Sequence, residues 1–206
     1  VGSEPIVLRG EAVTLEPLTT DHVDDLVAAA SEDRGSYGFT IVPSNRAETV
    51  RYVDVLLAAA DRGETWPFVQ RRVADGRVVG TTRYLEPRRW FGRDHPDEIE
   101  IGGTWLAASA QRTALNTEAK LLLLTHAFDA WEVGRVAICT DARNERSRRA
   151  IERLGARLDG VLPNHRPSMT EGEPGQLRDT ATYSIVPADW PTVRAGLLAR
   201  LGHAPA

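Results

Sequence analysis

Hydrophobic and polar positions change their period several times along this chain, and each change predicts an element. From Glu11 to Leu18 (EAVTLEPL) apolar and polar residues alternate one by one, as in a half-buried strand. Thr20 or Asp21 can cap a helix that runs through Ala30, with Val23, Leu26 and Val27 on one face. Arg46 to Ala60 keeps a helical spacing through Val50, Val53, Leu56 and Leu57, just after Pro43 and Ser44. Trp66 to Val73 and Arg77 to Leu85 are β-rich runs flanking Asp75-Gly76. Those two residues tolerate positive φ, so the pair predicts a hairpin.

The second half reads in the same way. Glu86 to Asp97, with its prolines and Gly92 around Trp90-Phe91, is a loop. Glu98 to Leu106 (EIEIGGTWL) is a strand whose internal Gly102-Gly103 predicts a bulge or a close backbone approach. A short connection, Ala107 to Leu115, precedes a long helix from Asn116 to Trp131 that the Leu121–Leu124 run should bury. A strand at Arg135–Thr140 is followed by a helix at Asn144–Leu154, which Gly155 ends. A final β region covers Ala156–His165 and Leu177–Val186 around a loop at Arg166–Gln176. An amphipathic helix at Ala188–Leu201 closes the chain. Strands and helices thus mix in the manner of an α/β (α+β) protein, read as one domain over 1–206 with a core at 8–187 and a helix at 188–201.

Composition narrows the class. The 206 residues are 42% hydrophobic and 26% charged, enough for a sizeable core without staples. One cysteine excludes an intrachain disulfide and a four-cysteine zinc site. A net charge of −4 argues against a nucleic-acid partner. No apolar run is long enough for a membrane helix, and the N-terminal stretch lacks the basic and apolar regions of a signal peptide, so a cytoplasmic protein is expected. His22, His95, His126, His165 and His203 are scattered without metal-ligand spacing, so no metal is expected. His126 reads as a satisfied core or interface residue. Cys139, in an apolar strand, reads as a small buried hydrophobe. Lys120 is the only lysine.

The chemistry concentrates in Ile101–Phe128. A strand with a glycine pair runs into Gln111-Arg112-Thr113-Ala114-Leu115-Asn116, and this polar loop opens directly into a helix. A helix N-terminus carries unpaired N–H groups and about half a positive charge, so it takes anions, phosphate above all, and Arg112 can add a charge-assisted contact. The loop, its continuation Asn116-Thr117-Glu118-Ala119-Lys120, and a second block from Thr140 to Ile151 that ends in Leu154-Gly155-Ala156 resemble the GNAT N-acetyltransferase superfamily. The resemblance is to its RimJ/RimL-like branch of ribosomal-protein N-terminal acetyltransferases and covers residues 8–187.

That resemblance implies a mixed, mostly antiparallel twisted sheet of about seven strands flanked by helices, and an acetyl-CoA-dependent transfer to a primary amine. The acceptor is a protein N-terminal α-amine or a small amine. Backbone N–H groups from Arg112 to Thr117, together with Gln111, would cradle the coenzyme A pyrophosphate. Backbone groups of Trp105 and Leu106 would meet the pantetheine arm and the acetyl carbonyl, where this strand splays from the next. Asn144 would hydrogen-bond the pantetheine, and Ser147 would protonate the leaving thiolate. Two loop positions depart from the family glycine pattern: Ala114, expected at negative φ, and Asn116, which tolerates left-handed geometry and can cap the helix.

Several residues carry two readings. Asn144 is also an ordinary N-cap, with Ser147 where a cap's partner sits. Glu98 and Glu100 share a strand face beside the expected gap. They are candidate bases for the amine, or simply a solvated outer face. His165 and Glu171 are weaker alternatives. The arginines Arg143, Arg146, Arg148, Arg149, Arg153 and Arg157 form a solvated helix face supported by Glu145–Arg149 at i, i+4, a dock for the coenzyme 3′-phosphate with Arg149 in that role, or an RNA contact, which the net negative charge disfavours most. The rival function is a non-catalytic acyl-CoA-binding module, and the late β region and last helix could build a homodimer.

Overall fold

The computed structural model describes residues 6–170 and 172–202; Glu171 and His203 lie outside the described residues. Its strands are β1 (Leu8–Arg9), β2 (Val13–Pro17), β3 (Thr65–Arg72), β4 (Val78–Arg88), β5 (Glu98–Leu106), β6 (Arg135–Asp141), β7 (Arg157–Pro167) and β8 (Leu177–Ile185). Its helices are α1 (Val23–Ser31), α2 (Arg46–Asp61), α3 (Leu115–Thr125), α4 (Glu145–Leu154) and α5 (Trp190–Arg200). The strands form one open sheet in the order β1-β2-β3-β4-β5-β6-β8-β7. Every neighbouring pair is antiparallel except β5–β6, which is parallel.

Most of the predicted elements are present, and the differences have local causes. The sheet has an eighth strand because β1, two residues long, pairs with β2; so short a strand carries no periodicity. Strand β4 runs on to Arg88, which pairs with Glu98 of β5, and so takes in the start of the predicted loop. The long helix stops being α-helical at His126, where a π turn covers His126–Ala130. β7 reaches Pro167 and includes Arg166. This strand lies on the sheet edge and is exposed along most of its length.

Successive strand residues point to opposite sheet faces, and β4 shows which helices cover each. Thr81 meets the Tyr52 hydroxyl of α2 at 2.9 Å, whereas Thr82 meets Lys120 of α3. On the α3 face Phe68, Tyr84, Ile99, Ile101, Leu123 and Leu124 are fully or almost fully buried. Tyr84 donates its hydroxyl to the Leu123 carbonyl.

Two ionisable side chains of α3 are buried, and each fastens the helix to the sheet. Glu118 accepts from the backbone N–H groups of Glu11, Ala12 and Val13 at 2.8, 2.8 and 2.7 Å. Gly10 leaves room for that carboxylate: a Cβ there would lie 2.4 Å from it. Lys120 is 5% exposed and donates to Thr104 of β5 at 2.6 Å and to Thr82 of β4 at 3.2 Å. Among the described residues no carboxylate pairs with it, and burial pulls its amine down to about 7.

Two measurements test these ties. Glu118→Ala strips three amides of a charged acceptor and should cost on the order of 3 kcal/mol in urea denaturation. An unchanged midpoint would mean that water replaces the carboxylate. For Lys120 the sign follows from linkage. From about pH 7 to about 10.4 the unfolded chain holds a proton on this side chain that the folded protein lacks. Stability therefore rises with pH across that window, by about 5 kcal/mol in all, and the lysine's contribution is flat below it. Lys120→Met should gain on the wild type at pH 7, and the gain should vanish towards pH 10.5; a difference that does not change with pH would refute this.

Candidate active site

The site begins where two strands part. β5 and β6 pair only through Glu98–Arg135, Ile99–Val136 and Glu100–Ala137, although β5 continues to Leu106 and β6 to Asp141. The cause lies in the glycines. Gly103 (φ +56°) is an extra residue between the Thr81–Trp105 and Arg83–Gly102 pairs, which is the predicted bulge. At Gly80 (φ +152°) a Cβ would lie 2.0 Å from the Trp105 carbonyl oxygen, so only glycine lets the two backbones come so close. The far arm of β5, Thr104–Leu106, therefore leans on β4 and leaves β6. The Ala107 N–H is spent on the Val79 carbonyl at 2.7 Å. By strand alternation the preceding Leu106 amide faces the opposite edge, where β6 has gone. The Trp105 ring packs edge-to-face on Tyr37, 4% exposed, and its Nε1 is buried without a partner.

The loop after β5 opens into α3 as predicted, with different cap geometry. Ala114 is the N-cap at φ −63°, Leu115 starts the helix and Asn116 is its second residue. The positive φ falls on Arg112, at 60°. Asn116 is thus neither left-handed nor the cap. A left-handed turn at Arg112 ahead of a helix start points consecutive amides one way. Among the described residues no hydrogen bond engages the N–H groups of Arg112, Thr113, Ala114, Asn116 or Thr117, whereas Leu115 N–H reaches the Thr113 hydroxyl at 3.3 Å. Arg112, Thr113 and Ala114 are exposed. Gln111 holds the loop in place. Its Nε2 donates to the Leu106 carbonyl and to the Ser36 hydroxyl, both at 2.9 Å, and its Oε1 accepts from Arg146 of α4 at 3.1 Å. A run of free amides at the end of an 11-residue helix suits a diphosphate, and the open edge of β5 beside it suits an extended, amide-bearing arm.

α4 starts on the other side of the gap, just after β6. Asn144 is its N-cap, and Oδ1 accepts from the Ser147 N–H at 3.0 Å. The capping reading is thus realised, and it leaves the Asn144 Nδ2 and the Ser147 hydroxyl unengaged among the described residues, both residues being half-buried. Arg149 does not join this group; it is exposed and pairs with Glu145 at 2.9 Å. Most of the other arginines of that run are engaged as well. Arg143 binds Asp141 and Glu173, Arg148 binds the Tyr183 hydroxyl, and Arg157 binds Asp189. The run is therefore not one basic patch.

The carboxylates of β5 are not a solvated face. Glu98 sits at the joined base of the β5–β6 pair, between Arg88 and Arg135, each at 3.6 Å. Glu100 stands at the last joined pair, is 5% exposed, and receives both guanidinium arms of Arg166 at 3.0 and 2.8 Å. Arg166 of β7 makes that burial tolerable by supplying the opposite charge. Cys139 of β6 lies nearby. Burial first, then the Glu100 charge, push its thiol up to about 12, so it stays protonated. His165 is exposed on the edge strand. His126 departs from the satisfied role expected of it: it packs on Trp131 with centroids 4.8 Å apart, its Nε2 is buried and unpaired, and burial lowers its pKa.

On the α2 face a cavity of about 600 Å³ runs between α2 and β4, lined by Val55, Leu56, Ala59, Arg83 and Leu85. A Cβ on Gly102 would touch both Leu85 and Glu100, at 3.1 and 3.3 Å, so the cavity wall adjoins the Glu100 carboxylate. In the loop after β4, Asp97, 2% exposed, accepts from the Trp90 and Phe91 amides and from Arg93, and the two aromatic rings are exposed. Sequence reasoning did not find Ser36 or Arg166, which come from a loop and a strand far apart in the chain, and it took Arg146 of α4 only as one of a run of arginines. Lys120 was the one with a signal: a single charge among Ala119 and Leu121–Leu124.

Residues 12–157 match the family profile described as acetyltransferase (GNAT) domain. The protein named "Putative ribosomal N-acetyltransferase YdaF" of Bacillus subtilis (strain 168) is 34% identical over 93 residues, 43% of this chain and 45% of that protein. The match thus spans less than half the length of that relative. A GCN5-related N-acetyltransferase from Brucella melitensis has a TM-score of 0.81 at 30% identity, covering 100% of this chain and 88% of that one. RimJ of Mycobacterium smegmatis, solved in complex with CoA-disulfide, shares the fold at a TM-score of 0.76 and 22% identity, over 98% and 96% of the two chains. With β2 to the start of β7 inside the matched profile, and with the parted strands and helix start described above, this chain belongs to the GNAT acetyltransferase family.

Proposed function

We propose that the protein moves an acetyl group from acetyl-CoA to a primary amine by direct attack in a ternary complex. The observation that carries this reading is the parting of β5 from β6 beside a helix start with unengaged amides. The amides of 112–114, 116 and 117 bind the diphosphate, with Arg112 adding charge and Gln111 holding the loop. Trp105 and Leu106 line the pantetheine with backbone groups, and the Leu106 N–H receives the acetyl carbonyl oxygen. The Asn144 Nδ2 donates to the arm. The amine nitrogen forms its bond to the carbonyl carbon, the C–S bond breaks, and the Ser147 hydroxyl passes a proton to the departing sulfur and regains one, through water, from the attacking nitrogen.

The acceptor follows from basicity. Both oxygens of the Glu100 carboxylate are taken up by the Arg166 guanidinium, so it is committed as an ion-pair partner and does not stand free as a base. A lysine-type amine, with its pKa near 10.4, would need a strong one. An α-amine, with a pKa of about 7.7–8.0, is largely neutral near pH 8 and needs only water to carry its proton away. We therefore favour a protein N-terminal α-amine, which agrees with the name of the Bacillus relative. The cavity between α2 and β4 favours, as a second reading, a small amine seated against Leu85 and Arg83.

Calorimetry with acetyl-CoA tests the coenzyme site: binding is expected, and its absence at high micromolar concentration would sink the reading. Binding without thiol release over a panel of amines would leave a non-catalytic acyl-CoA-binding module. Arg112→Glu should weaken binding on the order of tenfold, because it sets a negative charge among the amides. Ser147→Ala should lower kcat by about a hundredfold at nearly constant KM for acetyl-CoA. With a peptide acceptor, kcat/KM should rise with pH to a midpoint at about 8, the α-amine's own pKa. Glu100→Gln should leave that midpoint in place; a midpoint that moves with Glu100 would make this carboxylate the base.

A further inference from the structure

Lys120 is the chain's only lysine, and its setting is not that of a structural ion pair. The side chain leaves α3 a turn and a half from the helix start and ends among hydroxyls. Thr104 and Thr82 accept from it at 2.6 and 3.2 Å, and the two hydroxyls meet each other at 2.8 Å. Thr104 belongs to the arm of β5 that has left β6. Lys120 therefore joins the helix proposed to hold the diphosphate to the strand proposed to hold the pantetheine.

Among the described residues, most of the charged and titratable groups around it are committed elsewhere. On α3 itself Glu118 is spent on the amides of Glu11, Ala12 and Val13, and His126 lies beyond the last α-helical turn. From β4, besides Thr82, Tyr84 donates its hydroxyl to the Leu123 carbonyl. β5 contributes Thr104, and its Glu100 points to the other face, towards Arg166. β2 brings apolar Val13 and Leu15. On α5 Arg194 pairs with Asp129 at the far end of the helix. Among the described residues of α3, one buried acceptor lacks a donor. Asn116, four residues before Lys120 and so on the same side of α3, has a buried Oδ1 without a donor. An ammonium has three N–H groups, and the two threonines use two of them.

Resting on the coenzyme reading above, we propose that Lys120 couples coenzyme binding to proton uptake: its buried amine, held between Thr104 and Thr82 on the helix that starts at the coenzyme loop, takes up a proton when a diphosphate occupies the start of α3. The physics is short-ranged. In the free protein, burial and the positive end of the helix both disfavour the charged amine. A diphosphate brings two negative charges to the same end, about 8 Å along the axis at 1.5 Å per residue. Bulk salt screens little across a buried path. The new ammonium grips Thr104 more strongly and so steadies the arm of β5 just as the pantetheine needs it. Lys120 is in this sense a positioning residue; it touches neither the coenzyme nor the acceptor.

A single lysine makes the test direct, because protein grown with 13Cε-lysine gives one lysine signal. The full chain is titrated by NMR from pH 6 to 9.5, alone and saturated with acetyl-3′-dephospho-CoA, whose diphosphate does not titrate in that range. The expected midpoint is about 7 in the free protein, and roughly one unit or more higher in the complex. Calorimetry at pH 8 in Tris and in HEPES should show uptake of roughly half a proton per coenzyme, lost in a folded Lys120→Met variant that still binds. A lysine midpoint near 10 in the free protein, or one that the coenzyme does not move, overturns the proposal while the coenzyme reading stands. Uptake that persists in Lys120→Met places the proton elsewhere and overturns it too. Absence of any coenzyme heat removes the coenzyme reading itself, and this proposal with it.

Discussion

The close passage of β5 over Gly80 is the constraint on which the site depends. A side chain there would collide with the Trp105 carbonyl, and the bulge at Gly103 supplies the bend that brings that carbonyl close. Because the arm of β5 is drawn to β4, it cannot also follow β6, and the parallel pair ends after three residues. The free edge of Leu106, the loop at Gln111 and the start of α3 all lie downstream of this bend. Gln111 ties them back to the Leu106 carbonyl, so strand end and helix start are set by one geometry.

Charge placement follows the same economy. Most arginines near the gap already have a carboxylate or hydroxyl partner: Arg166 on Glu100, Arg143 on Asp141, Arg148 on Tyr183. The unengaged donors are backbone amides at the start of α3, where the helix itself provides the positive potential. Binding an anion there needs no side-chain rearrangement and leaves the paired charges in place. The two buried ionisable groups of α3 have opposite settings. Glu118 has three amide donors, whereas Lys120 has only hydroxyls, and burial pulls the Lys120 amine down to about 7.

Much of this was legible in the residues, and the failures are instructive. The hairpin at Asp75-Gly76, the bulge at Gly102-Gly103 and the Gly155 helix stop are local conformational requirements, and a local reading finds them. The loop from Gln111 to Thr117 was found for the same reason: a strand, a polar turn and a helix start are consecutive. Its cap was assigned to Asn116 and falls on Ala114, because capping preferences of neighbouring residues differ by less than the pull of burying Leu115. Glu100 was expected to be a free base or a solvated carboxylate. It is buried and ion-paired, not solvated, because its partner Arg166 comes from a strand 66 residues away that one-dimensional patterning cannot bring alongside. Arg149 was expected at the coenzyme, but a glutamate one turn away on its own helix takes it.

The amino-acid sequence alone therefore determined the order of the elements, the places where the backbone must bend, and the helix start with its anion-seeking amides, since these depend on neighbours within a few positions. Tertiary structure alone decided the rest. It set how far β5 and β6 stay joined, which arginine neutralises Glu100, and that the one lysine of a strongly helical segment ends between two threonines instead of in water. Those outcomes depend on burial and on partners brought together across the sheet. Burial is what takes the amine of this lysine far below its ordinary range.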